Sequence, residues 1–256
     1  MTAPLEPARR PALDRNALRA HTPARVALRT AGKSLATAEI LDLNLCLAEA
    51  RDAIHAKLSG ASLIAQLGRG AWRPMLLRSA AKDRWEYLQR PDLGRRLNAE
   101  SQAALDGERL REGSALVVVI GDGLSAIAAE RHAVPLLDAL TAELPEARSA
   151  IVVIAEQARV ALGDEIGERL KAEIILMLIG ERPGLSSPDS LGAYVTWAPR
   201  VGRTDAERNC ISNIRPEGLS YTAAAAKIAY YLKAAREGRL SGVSLKEDGG
   251  LLPRRS

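Results

Sequence analysis

An unbroken apolar run, residues 174–179 (IILMLI), breaks at once into Gly180, Glu181, Arg182, Pro183 and Gly184. A short apolar run bounded by Gly and Pro predicts a strand buried on both faces. A charged, glycine-rich loop at the carboxyl end of such a strand is where open α/β sheets hold ligands. Two runs of the same kind come earlier, residues 115–120 (ALVVVI) and 150–155 (AIVVIA), and residues 193–197 and 210–214 predict shorter strands. Helical periods fall between and after them, over residues 124–131, 135–144 and 164–171, the last burying Ile166 and Leu170. Residues 221–237 predict a closing helix with Ala224, Ile228, Tyr231, Leu232 and Ala235 inward, stopped at Gly238. Strands alternating with helices predict parallel β-α units, hence an α/β fold with a doubly wound, mainly parallel sheet.

The amino-terminal half has a different pattern, which predicts a mainly helical extension. Residues 37–57 predict a helix capped by Thr37, with Glu39 in its first turn. Ile40, Leu43, Leu47, Ala50, Ile54 and Leu58 form one face, widened by Leu41 and Leu45. A core face is the favoured reading of this stripe, and a contact with another subunit is the alternative. Residues 59–90 predict a loop followed by irregular or extended structure carrying Trp72, Trp85 and Tyr87. Residues 90–97 (RPDLGRRL) predict a short helix burying Leu93 and Leu97, with Arg95 and Arg96 on an exposed basic face or a docking patch. The expected division is an arm over residues 1–33, a mainly helical region over 34–112, the sheet domain over 113–240 and a loose tail over 241–256.

Composition narrows the function. Phe is absent and aromatics make up 3% of the chain, so the core is aliphatic. Net charge is +5, with much of the excess in the arm (Arg9, Arg10, Arg15, Arg19, Arg25, Arg29) and in Arg254 and Arg255. Basic residues are not clustered with aromatics, which argues against nucleic-acid binding. The two cysteines, Cys46 and Cys210, make no disulfide framework or C-x-x-C pair, which suits a reducing cytosol. The three histidines have no zinc-site spacing, and no stretch is apolar for long enough to span a bilayer. Gly32, Lys33 and Ser34 resemble the end of a phosphate-binding loop, but Ala27 stands where the motif needs glycine and no buried strand leads in.

Residues 121–126 (GDGLSA) match the G-x-G-x-x-A dinucleotide fingerprint between a strand and a helix, and Glu156 stands where a ribose-binding acid is expected. A nicotinamide oxidoreductase built on this loop is therefore one reading. Asp122 opposes it, since a carboxylate there would repel the pyrophosphate that the helix N-terminus should receive. A ligand loop for neutral amide or hydroxyl groups, or a tight turn capped by Asp122, are the other readings. The loops at 157–162, 180–185 and 209–213 are expected together at the carboxyl edge of the sheet. They offer an aliphatic surface (Val160, Ala161), a carboxylate (Glu181), a thiol (Cys210) and polar groups (Ser212, Asn213). That mix suits a bulky ligand with apolar faces and polar side arms. Taken alone, Glu181 also reads as a salt-bridge partner of Arg182 and Cys210 as a small buried filler. No Ser-His-Asp or Cys-His set is evident, and no residue is assigned a catalytic role. A non-catalytic interaction module using the arm, Arg95 and Arg96 is a third reading.

Six segments in order resemble the small (light) subunit of ethanolamine ammonia-lyase: RPDLGRRL (90–97), VVVIGDGLSA (117–126), GDEIGERL (163–170), GERPGL (180–185), YVTWAPR (194–200) and RNCISNI (208–214). The resemblance runs from about residue 26 to 240 and implies a Rossmann-like lid that holds adenosylcobalamin against a large (heavy) β/α-barrel subunit. That hetero-oligomer converts ethanolamine to acetaldehyde and ammonia by a radical route, the barrel carrying most of the chemistry. The family's cobalamin contacts fall on Val160, Glu181 and Cys210. The D-x-H-x-x-G word that ligates cobalt through histidine is missing, so no axial ligand is expected from this chain. The stretch between Tyr194 and Cys210 is about one residue shorter than in familiar members. Several relatives begin with an amphipathic helix linked to entry into a bacterial microcompartment. The Arg/Pro-rich start here lacks that pattern, so a cytoplasmic location is expected, with encapsulation left open.

Overall fold

A computed structural model describes residues 15–22, 24–68, 72, 74–106 and 116–246. The expectations for residues 1–14, Ala115 and the tail beyond residue 246 lie outside the described residues. The chain divides into two compact units, Met1–Ala48 and Glu49–Ser256.

The first unit contains α1 (Arg15–Ala20), β1 (Thr30–Ala31), β2 (Ser34–Leu35) and the start of α2 (Thr37–His55). β1 and β2 pair antiparallel across Gly32 and Lys33, with Gly32 at φ +63°. The GKS word is thus a hairpin turn that needs a positive φ, and not a phosphate loop. Arg19 and Arg25 are tied down by Glu39 at 2.8 Å and Asp42 at 2.6 Å. The stripe makes the favoured core face only at its far end, where Leu58 is buried: Ile40, Leu41, Leu45 and Leu47 are all exposed, Leu41 at 63%.

The second unit contains α3 (Gly60–Gly68), β3 (Met75–Arg78), α4 (Arg84–Gln89), α5 (Ala99–Asp106), β4 (Leu116–Gly121), α6 (Ala126–Glu143), β5 (Ile151–Glu156), α7 (Leu162–Leu170), β6 (Ile174–Gly180), β7 (Leu191–Trp197), β8 (Asn209–Ile214) and α8 (Tyr221–Gly238). Residues 90–97 yield only a single 3-10 turn, Leu93–Arg95, with Leu97 buried and Leu93 partly so. Pro135 does not split the helix around it. α6 runs through it because Ala133, Leu136, Leu137 and Leu140, on both sides of the proline, are all buried. That burial outweighs the roughly 3 kcal/mol an interior proline costs a helix.

Six strands form one mixed sheet in the order β3-β5-β4-β6-β7-β8. β3, β5, β4 and β6 are parallel neighbours, whereas β6–β7 and β7–β8 are antiparallel. The sheet is mainly parallel as expected, and the departures from parallel β-α units are β7 and β8. The connections over 181–190 and 198–208 are too short for the crossover that a parallel neighbour requires. β3, inside the region expected to be mainly helical, is the first edge of the sheet. β6 is central and every residue of it is buried, as its apolar run implies.

Alternate residues of the strands feed two cores. Val118, Ile120 and Leu176 pack with Leu63, Leu136, Leu140, Ile228 and Leu232 from α3, α6 and α8. Val117, Val119 and Met177 pack with Leu105, Ile166 and Leu170 from α5 and α7. At the carboxyl edge, β4 and β6 end against each other. Leu124 N–H donates to Gly180 O at 2.9 Å, and a Cβ on Gly180 would lie 2.0 Å from Ser125 O. Gly180→Ala is therefore expected to cost about 3 kcal/mol by urea unfolding. Gly68→Ala, which meets open space, should leave the midpoint unchanged or raise it slightly.

Candidate functional site

Asp122 follows β4 and is fully buried. Its Oδ1 accepts the Ala158 N–H at 2.8 Å, and its Oδ2 accepts the Gln157 N–H at 3.0 Å. Arg84 Nη1 donates to the same Oδ2 at 3.1 Å and to Gly123 O at 2.8 Å, while Arg84 Nε donates to Ile54 O at 2.7 Å. Gln157 sits at φ +57°, a left-handed conformation that a non-glycine residue adopts only when held there. Burial pushes the Asp122 carboxyl up to about 6, against the pull of Arg84 and of the Ala158 and Gln157 N–H groups.

This arrangement removes the dinucleotide reading. Asp122 fills the crevice between the β4 and β5 loops, and Ser125, not Asp122, caps α6 by accepting from Ala128 N–H. Glu156, the expected ribose acid, is held by Arg78 at 2.5 Å. What this edge offers instead is a cavity of about 470 Å³, lined by Tyr87, Leu124, Arg159, Val160, Glu181 and Tyr194 among others. Tyr87 donates its hydroxyl to Ala158 O at 2.9 Å, and the guanidinium groups of Arg84 and Arg159 lie over its ring, 4.8 and 4.4 Å from the ring centre. Such cation–π stacking fixes the ring as a wall.

Two of the three expected contact residues share this cavity. Val160 presents its side chain from the loop before α7, half-buried. Glu181 does not pair with an arginine: among the described residues its partners are the Ser190 hydroxyl and the Asn213 N–H, the latter at 3.1 Å, both donating to Oε2. Its Oε1 accepts no hydrogen bond from the described residues, so Glu181 keeps an acceptor for a guest. Cys210 lies on β8, exposed, so it is not a buried filler. It pairs across the sheet with Tyr194, and its Sγ is 3.6 Å from Ser212 Oγ. The structure thus brings Val160 and Glu181 together and puts Cys210 one strand further out, beyond Tyr194. Burial and the adjacent Cys210 both push the Tyr194 hydroxyl up.

The sequence reading missed Arg84, Tyr87, Arg159 and the buried pair Asp164–Arg208. Arg208 meets Asp164 through two parallel bonds of 2.6 Å each, tying the first turn of α7 to the start of β8. A bidentate pair of this kind fixes orientation as well as distance, so the Val160 loop and the Cys210 strand are held in register. Both residues stand in segments already singled out, GDEIGERL and RNCISNI, but pairing across 44 positions leaves no local trace. Among the described residues no group of three or more His, Cys, Asp or Glu could hold a metal ion, and no helix is long and apolar enough to cross a membrane.

Fold and site together define an α/β chain with a ligand-sized cavity at the carboxyl edge of a mixed sheet and no dinucleotide crevice. Comparison with known proteins makes this specific. Residues 14–246 match the family model described as ethanolamine ammonia-lyase light chain (EutC). The chain is 54% identical over 235 residues to the ethanolamine ammonia-lyase small subunit of Azotobacter vinelandii, covering 90% of this chain and 87% of the relative. It is 55% identical over 236 residues to that of Xanthomonas campestris pv. campestris (strain B100), covering 90% and 86%. To that of Ralstonia nicotianae it is 53% identical over 236 residues, covering 90% and 87%. The chain belongs to the ethanolamine ammonia-lyase light chain family, and its function is that of the small subunit of this lyase.

Breaking the buried network should be costly. Asp122→Asn turns an acceptor towards three donors into a group that must itself donate, and about 3 kcal/mol of stability is expected to be lost in urea unfolding. In the wild type the Asp122 carboxyl carbon should titrate by NMR with a midpoint near 6, against 3.8 for an ordinary aspartate. Between those values the folded state binds more protons than the unfolded chain. This group's contribution to stability therefore falls as pH rises through that window.

Proposed function

We propose that the carboxyl edge of the sheet holds adenosylcobalamin against the large (heavy) barrel subunit of a hetero-oligomer, residues 113–240 acting as a Rossmann-like lid. The observation that carries this reading is the shared cavity of Val160 and Glu181, in which the carboxylate is oriented by Ser190 and Asn213 and keeps Oε1 for a guest. The residues fit the group. A corrinoid has apolar faces and a fringe of amide arms, and the cavity offers aliphatic and aryl walls beside one acceptor and the exposed guanidinium of Arg182. Val160 packs against an apolar part, Glu181 accepts from an amide N–H or a ribose hydroxyl, and Cys210 borders the site from β8. Bound adenosylcobalamin supplies the radical chemistry that converts ethanolamine to acetaldehyde and ammonia. This chain's residues supply position and exclusion of water. The sheet takes β3 from the region over 34–112 as its first edge strand, and the complex works in the cytoplasm.

Mixing the purified chain with a large subunit and adenosylcobalamin should restore acetaldehyde formation that neither chain shows alone. No activity with a competent large subunit would sink the proposal. In the assembled complex Glu181→Ala should weaken cobalamin binding about tenfold by equilibrium dialysis, the worth of one hydrogen bond to a charged group. Unchanged affinity would remove Glu181 from the site.

A further inference from the structure

A second cavity, of about 280 Å³, is lined by two partners of Asp122, Arg84 and Gln157, and shares no lining residue with the cavity of Val160 and Glu181. Lys57 from the α2–α3 connection, Arg78 at the end of β3 and Lys82 just before α4 add three cations to its walls. Asp83 and Glu156 are the carboxylates among its lining residues. Part of this charge is neutralised inside the chain. Arg78 holds Glu156 at 2.5 Å, Arg84 Nη1 reaches Asp122 at 3.1 Å, and Asp83 Oδ1 accepts the Glu86 N–H at 2.8 Å. Lys57 and Lys82 differ: both are exposed, and neither has an ion pair among the described residues. Arg84 is only 4% exposed, yet its Nη2 is buried with no partner, and so is Gln157 Oε1. Buried polar groups are nearly always paired, so an open donor and an open acceptor in the lining of one cavity mark a place for a polar guest.

Arg84 Nη2, Lys57 and Lys82 call for an anion. Gln157 Oε1 and the nearby carboxylates of Asp83 and Glu156 call for a hydroxyl on the same guest. Hydrogen phosphate carries both near neutral pH, whereas sulfate is a dianion of the same shape with no hydroxyl to give. The volume is below that of a drug-sized ligand's pocket and ample for one such ion. We propose that this cavity binds inorganic phosphate, with Arg84, Lys57 and Lys82 receiving its charge and Gln157 Oε1 accepting from its hydroxyl. Guanidinium and ammonium groups together suit a phosphate, the first as a fixed fork and the second as mobile point charges. The guanidinium of Arg84 then joins the anion to Asp122, so phosphate stiffens the turn at Gln157 that leads to Arg159 and Val160. The site does not depend on the cobalamin reading.

The test uses the complex of this chain with its large subunit, titrated with inorganic phosphate and separately with sulfate by isothermal calorimetry. Chloride keeps the ionic strength constant, so that screening is equal in every titration. Phosphate should bind saturably and raise the melting temperature, and sulfate should bind about tenfold more weakly for want of the hydroxyl. Lys57→Gln and Lys82→Gln, at exposed positions, should each weaken phosphate about tenfold, as loss of one charged donor does. Lys233→Gln, beside Leu116 at the start of β4, should leave it unchanged. The lysines are chosen because Arg84 also holds Asp122, and thermal melting checks that each variant is folded. No saturable phosphate binding, sulfate bound as tightly as phosphate, or unchanged affinity in both lysine variants overturns the inference. Phosphate binding that appears in the free chain and is lost in the complex gives the cavity to the subunit contact and also overturns it. Displacement of phosphate from the complex by cyanocobalamin gives the cavity to the cofactor, with the same result.

Discussion

The carboxylate of Asp122 is the point on which the site depends. One buried side chain accepts from the backbone of the β5 loop at two consecutive residues and from a guanidinium that also reaches the C-terminal end of α2 and the β4 loop. A buried ion pair of this sort contributes little net stability over an apolar replacement, because desolvation offsets its attraction. Its value lies in geometry. It sets Gln157 in a left-handed conformation, and that turn aims the following residues, Arg159 and Val160, into the cavity. Asp164 with Arg208 does the same for the other flank, so two buried acid–arginine pairs frame the β5–α7 connection.

The sheet itself was readable in the sequence. Apolar runs at β4, β5 and β6 are strands because they must be buried on both faces, and each begins or ends within a residue of the expected limit. The topology beyond β6 was not readable by alternation, because what decides it is the length of the connections. Without room for a helix the chain must return antiparallel. Pro135 misled for the opposite reason, since tertiary burial on both sides overrode a strong local propensity. On α2 the apolar period was read correctly but its destination was not, because periodicity reports which residues share a face and not what covers it.

The site was half legible. Val160, Glu181 and Cys210 were expected at one edge of the sheet by residue type, position after a strand and resemblance to a family, and the first two share a cavity there. Asp122 was recognised as an obstacle to a dinucleotide but not as an organiser, because its partners Arg84, Gln157 and Ala158 lie between 35 and 38 positions away. Tyr87 was seen only as an aromatic in an irregular stretch. Its role comes from two arginines over its ring, Arg84 one turn earlier on α4 and Arg159 from the distant β5–α7 connection, and the second leaves no local pattern.

The near-absence of aromatic residues has an optical consequence. With no Phe, five Tyr and three Trp in the whole chain, the bulk of the core is silent in the near ultraviolet. Two of those five tyrosines, Tyr87 and Tyr194, line the cavity. The near-ultraviolet circular dichroism of this chain therefore arises from eight side chains, two of which border its ligand site.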